Sequence, residues 1–366
     1  MEAYVIIVDG HEDLAWNALT FDRDYTRSAL ETRAMEEDTS IPKWNGDTLL
    51  GWPEWLRGGV AVVFATLFST PLRWKKDPWD VRCYADADEA HALYSSDLAY
   101  YHRLVEEHAE KFHLIRDKHE LGITESAWQT AEDEERSVGM VLLMEGADGV
   151  RSPGELQEWF DGGVRILGPA WAATRYAGGT GEPGPLTDLG RELLDAMADV
   201  GMILDLAHLA EEGAVEALDL FRGPILVSHT SPLALVPNAE KPERHITDLV
   251  IRRTADREGV IGLVLGNRFL KDRWEPSQGR EIVTLADVAT GIDYICQMLG
   301  DAAHVGIGSD FDGGFGLDKV PQGLDSVADL RLIGESLDAR GYNQEDIEAI
   351  LGGNWLRFLR RALPEN

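Results

Sequence analysis

Only two cysteines occur in the 366 residues, Cys83 and Cys296, far apart and in no C-x-x-C pattern. That excludes a disulfide framework and makes the cytoplasm the expected compartment. No uninterrupted apolar run approaches the ~20 residues that a spanning helix needs. The segment from Met1 to Val8 has no basic start and no small-residue cleavage site, so no signal peptide is expected. Bases are scarce: 34 Lys and Arg against 65 Asp and Glu, a formal charge of −31. Such a field repels phosphate backbones and anionic lipid, which argues against nucleic-acid and membrane partners and favours uptake of cations. No G-x-S-x-G elbow is present and neither cysteine sits in a nucleophile motif, so covalent catalysis is not expected.

What is present is an ordinary globular mixture, 44% hydrophobic and 27% charged. Short apolar, β-branched runs fall at 4–8, 60–67, 138–144, 164–167, 202–206, 225–227, 260–265 and 305–307. Near-continuous apolar runs suit strands buried on both faces of a parallel sheet. Helical patterns separate most of them, at 86–120, 125–136, 154–160, 189–200, 211–220, 246–257 and 285–299. Further helices follow the eighth run, at 326–340, 343–351 and 355–362. Eight buried strands alternating with helices predict a (β/α)8 TIM barrel, with a doubly wound open sheet as the alternative. With no Ser- or Pro-rich linker and no repeat, residues 1–366 read as one domain with insertions around 23–53 and 68–120.

In such a barrel the chemistry sits where strands end and loops begin. The first run ends Asp9-Gly10-His11-Glu12-Asp13, and residues two apart in extended chain share a face, so His11 and Asp13 point together. The third run ends at Glu145, the fifth at His208, the sixth at His229, and the eighth in Ser309-Asp310-Phe311-Asp312-Gly313. Singly, each histidine reads as a capping or core residue and each Glu or Asp as a helix N-cap or turn residue. Together they put imidazoles and carboxylates at one relative position on five of eight strands. Buried ionisable groups gathered in one mouth repel and desolvate one another unless a cation is present. Five ligands exceed what one catalytic zinc takes. They fit two metals bridged by a carboxylate, Glu145 being the candidate in mid-barrel. Such a pair can hold a hydroxide and polarise a carbonyl. Asp310 is then free to shuttle the proton.

These residues carry a family resemblance. Asp9-Gly10-His11-x-Asp13, Met144-Glu145-Gly146, Asp205-Leu206-x-His208, Ser228-His229-Thr230-Ser231 and Gly306-x-Gly308-Ser309-Asp310-Phe311-Asp312-Gly313 resemble the renal (membrane) dipeptidases, peptidase family M19. The closing Gly352-Gly353-Asn354-Trp355 is similar too. The resemblance implies a (β/α)8 barrel of the metallo-dependent hydrolase type that cleaves dipeptides with two Zn2+. It implies that His11 and Asp13 hold one zinc, His208 and His229 the other, and Glu145 bridges. Asp310 takes the acid/base role, Arg244 grips the substrate carboxylate, and a homodimer is the starting expectation for assembly. After the fourth strand, where the family usually has a histidine, this sequence has Trp171. That departure leaves open hydrolysis of a non-peptide amide, lactone or ester, or metal binding without dipeptidase activity. Arg175, Tyr176, His245 and Arg268 are candidates to replace the missing donor. Gly179-Thr180-Gly181-Glu182-Pro183-Gly184 fits a dinucleotide pattern but follows no strand, and is expected to be a flexible loop.

Overall fold

A computed structural model describes residues 5–130 and 136–365. Among them the strands are β1 Ile7–Glu12, β2 Val60–Leu67, β3 Thr70–Pro71, β4 Cys83–Tyr84, β5 Phe112–Leu114, β6 Val138–Glu145, β7 Val164–Gly168, β8 Ile203–Asp205, β9 Ile225–Thr230, β10 Ile261–Leu263 and β11 Val305–Ile307. The main sheet runs β2-β1-β11-β10-β9-β8-β7-β6-β5, and β6 pairs back onto β2. Eight parallel strands therefore close into a barrel with helices between them, the (β/α)8 architecture the sequence predicts. The strands β2 and β6 are buried at every residue, which is why their sequences read as unbroken apolar runs.

Three expectations are corrected. The helix at 86–120 is broken: it spans Ala87–Glu107, and β5 follows before a second helix at Lys118–Thr130. The three residues of β5 are too few to carry a periodic signal. They become a strand by pairing with Val138–Met140 of β6, on the edge that β7 occupies from Leu142 onward. The helix expected at 125–136 is the end of that second helix, and residues 131–135 lie outside the described residues. The first strand is shifted, running through His11 to Glu12, and its expected first residue, Tyr4, lies outside the described residues. The strands β1, β6 and β9 all continue into polar residues, because ladder hydrogen bonds use the backbone and are indifferent to the side chain.

The closing helix Asn354–Ala362 seals the barrel from within. The Trp355 indole donates to the Ile307 carbonyl at 2.9 Å and meets the Phe64 ring at 5.0 Å. A Cβ on Gly306 would lie 2.3 Å from that indole nitrogen, so only glycine admits the ring there.

Candidate metal centre

All six residues expected at the cluster meet at the carboxyl ends of the strands. His11 lies in β1 and His229 in β9, both fully buried. Glu145 closes β6, and its Oε1 is 3.0 Å from His208 Nε2, 3.5 Å from His229 Nε2 and 3.8 Å from His11 Nε2. Asp13 sits at the N-cap of the helix Leu14–Phe21 yet makes no capping bond. Its carboxylate instead accepts from the Thr66 hydroxyl on β2 and places Oδ2 3.8 Å from His11 Nε2. Asp310, three residues beyond β11, brings Oδ1 to 4.0 Å from the same nitrogen. Three overlapping triplets result, each with its ligand atoms within 4.8 Å of one another: His11, Asp13 and Glu145; Glu145, His208 and His229; His11, His229 and Asp310.

The backbone is bent to achieve this. His208, Asp310 and Asp312 adopt φ of 65°, 60° and 62°, a left-handed conformation that side-chain-bearing residues rarely take. Three such residues at one barrel mouth mark a place where local strain is held by the surrounding fold.

The donor set fits divalent cations. Among the described residues, both ring nitrogens of His11 are buried without a hydrogen-bond partner. The Ser228 hydroxyl donates to Asp205 Oδ2 at 2.5 Å, so at 2.8 Å it accepts from His229 Nδ1. That fixes the proton on Nδ1 and leaves the Nε2 lone pair aimed at Glu145. Thr180 Oγ1 lies 2.9 Å from His208 Nδ1 and anchors that ring by a hydrogen bond. As side chains alone, the cluster is electrostatically costly. Burial pushes Glu145 up to about 8 and Asp310 up to about 7, against the pull of His11. Burial would lower His11, but Glu145, Asp13 and Asp310 drive it up to about 9. Burial, with the positive charge of Arg244 and His11, holds His208 and His229 well below the usual histidine range. Divalent cations would let the carboxylates ionise and engage the neutral imidazoles.

Arg244 is buried on the turn Pro242–Arg244, donating to the His229 carbonyl at 3.0 Å and pairing with Asp310 Oδ2 at 3.5 Å. Trp171 is half-buried at the mouth, its ring 6.2 Å from the His208 ring and 5.1 Å from Phe68. Of the four candidate replacement donors, three are engaged elsewhere. Arg175 and Tyr176 bond the Val150 carbonyl, and His245 bonds Ser231. Arg268 alone has no hydrogen-bond partner among the described residues.

The roles of Ser228, Thr66 and Thr180 were not legible in the sequence. Thr180 lies within the glycine-rich stretch expected to be a flexible loop. The structure instead pins that stretch: Thr180 and Gly181 donate to the Trp171 and Ala172 carbonyls at 2.9 and 3.0 Å. A Cβ on Gly179 would fall 2.4 Å from the Trp171 carbonyl, so the glycine serves close packing.

A closed parallel barrel with imidazoles and carboxylates converging at its mouth defines a metallo-dependent hydrolase of the (β/α)8 class. The sequence profile of membrane dipeptidase, peptidase family M19, matches residues 1–364, and the chain belongs to that family. It is 32% identical over 239 residues to a Klebsiella pneumoniae protein described as uncharacterized in the pqqA 5′ region, covering 63% of this chain and 84% of that one. It is 32% identical to dipeptidase tcpJ of Claviceps purpurea over 48% of this chain, and that match takes in only 38% of the relative's length. Among solved structures, a Rhodobacter sphaeroides metallo peptidase liganded with a phosphinate mimic of L-Ala-D-Ala has the same fold. Its TM-score is 0.78 at 22% identity, covering 98% of this chain and 99% of that one.

Proposed function

We propose that this chain hydrolyses the amide bond of a dipeptide or a similarly small substrate at a site for two zinc ions. The observation that carries the reading is one oxygen, Glu145 Oε1, standing within 3.8 Å of three imidazoles, two in the strands β1 and β9 and one on the turn after β8. His11 and Asp13 would hold one ion and His208 and His229 the other, with Glu145 placed to serve both; an imidazole-rich set with carboxylates suits zinc. When bound, the ions supply Lewis acidity, polarising a carbonyl and making water acidic.

The chain's own residues do the rest. Asp310, raised to about 7 by burial, accepts the proton of the attacking water and returns it to the leaving amine near neutral pH. Arg244 offers its planar guanidinium to the substrate's carboxylate and keeps Asp310 in place. Trp171 and Phe68 meet edge to face beside the His208 ring and offer an apolar surface to the substrate. The relative solved with a dipeptide mimic supports the substrate class. The cysteines, both free, support a reducing compartment such as the cytoplasm. Among the described residues no helix is long and apolar enough to cross a membrane.

The test is metal analysis of the purified protein, with a screen of dipeptides and N-acyl amino acids before and after chelation. Zinc-restored turnover is expected. Fully loaded protein that cleaves none of these substrates overturns the reading. Trp171 favours a second one, a flatter non-peptide amide, lactone or ester lying against the indole. Trp171→His would then raise dipeptide turnover at the expense of the native reaction.

A further inference from the structure

Four cations ring the mouth of a chain whose net charge is −31. Arg244 and Arg268 bracket one aromatic side chain: their guanidinium carbons lie 4.8 and 4.5 Å from the centre of the Phe269 ring. Lys76, on the loop between β3 and β4, reaches across to the segment beyond Asp310. A Cβ built on Gly314 would lie 2.9 Å from its ammonium. On the other side, the Lys241 ammonium sits 4.4 Å above Trp74, whose indole is tied at 2.7 Å to Glu182, two residues from Thr180.

Arg244 is already used by Asp310 and by the proposed substrate carboxylate. Arg268 and Lys76 are not. Both are exposed to the mouth, and among the described residues neither side chain forms a hydrogen bond or an ion pair. Arg268 is also the charge that acts most strongly against Lys76. The acids nearby are Asp310, which acts on both, Glu240 near Arg268, and Asp80 near Lys76; none comes close enough to pair with either. Two like charges held together without a counter-ion repel, and an anion placed between them relieves that cost. In a strongly acidic protein this local reversal of sign is what draws an anion inward.

We propose that the mouth selects a dianionic substrate: a dipeptide or N-acyl amino acid whose C-terminal residue is aspartate or glutamate, with its side-chain carboxylate held by Arg268 and Lys76. This rests on the dipeptidase reading above. With the scissile carbonyl over the cluster and the main-chain carboxylate on Arg244, the next guanidinium along the Phe269 ring belongs to the C-terminal residue. An N-terminal acidic side chain would lie across the amide, away from Arg244.

The test compares zinc-loaded protein acting on Ala-Glu and Ala-Gln, substrates of equal shape and different charge, with glutamate and glutamine in both L and D forms. Ala-Glu is expected to have kcat/KM at least about tenfold higher, and Arg268→Gln to erase most of that ratio by lowering Ala-Glu far more than Ala-Gln. Lys76→Met should erase a smaller part. Equal rates for the two substrates, or an Arg268→Gln loss shared equally between them, overturns the proposal. Calorimetric titration with glutarate and butyrate separates this outcome from a failure of the dipeptidase reading. The dicarboxylate should bind at least about tenfold tighter to the wild-type protein and lose that advantage in Arg268→Gln, whether or not any dipeptide is cleaved. Equal binding of the two acids overturns the proposal independently of turnover.

Discussion

Asp310 and Asp312 stand two residues apart, both buried and both in the left-handed conformation, yet they occupy opposite kinds of environment. Asp312 is fully engaged. It accepts from Arg23 at 3.0 Å, the Tyr25 hydroxyl at 2.9 Å, the Thr48 hydroxyl at 2.5 Å and the Leu49 amide at 2.9 Å. Arg23 is in turn clamped by Glu36 at 2.9 Å. Among the described residues the Asp310 carboxylate accepts one long hydrogen bond, from Arg244 at 3.5 Å, and it is pushed up to about 7 by burial. A buried carboxylate with all its lone pairs satisfied holds a structure together. One left short of partners, beside a His11 ring with no hydrogen bond among the described residues, is kept ready for something that arrives from outside. The loop between the two pins the segment 17–49 with one aspartate and presents the other to the mouth.

The comparison can be broken most severely by removing the ions. Chelation should abolish turnover and zinc should restore it. Because Glu145 and His11 hold protons up to about 8 and about 9, ion binding must displace them. Ion affinity, measured by chelator competition, should therefore climb with pH from about 6 to about 9. A flat profile would contradict this account of the cluster. Next in size, Asp310→Asn should lower kcat by about 10²–10⁴ while leaving the melting temperature unchanged or higher, since an uncomfortable buried charge is lost. Asp312→Asn should do the converse. It should cost about 3 kcal/mol in denaturant unfolding, by leaving Arg23 partly uncompensated, with little change in turnover per folded molecule. If the two variants behaved alike, the distinction between the aspartates would fail. The smallest effect is expected for Thr180→Val, which frees the His208 ring and should weaken ion binding about tenfold, read by the same competition assay.

The clustering of His11, Asp13, Glu145, His208, His229 and Asp310 was legible because each ends or closely follows an apolar run, and strand ends are where a barrel places its chemistry. His11, Glu145 and His229 prove to lie inside their strands, a difference of a few residues that backbone pairing alone decides. The short strand β5 and the break in the helix expected at 86–120 were not legible. Three residues carry no period, and β6 supplies the partner that makes them a strand. Asp13 read equally well as a helix cap. Only the approach of Thr66 and His11 shows its carboxylate turned toward the cluster. Arg244 was marked only by the family resemblance, and its burial against His229 and Asp310 became visible only in the tertiary structure.

The sequence by itself determined the alternation of strand and helix, the acidic charge, and the identity of the side chains at the strand ends, because burial patterns and residue chemistry are written locally. The closure of the barrel decided what those side chains do. Distances between residues as far apart as His11 and Asp310, or Lys76 and Arg268, depend on eight strands meeting in register. So does the question of which buried polar atoms find partners and which are left waiting.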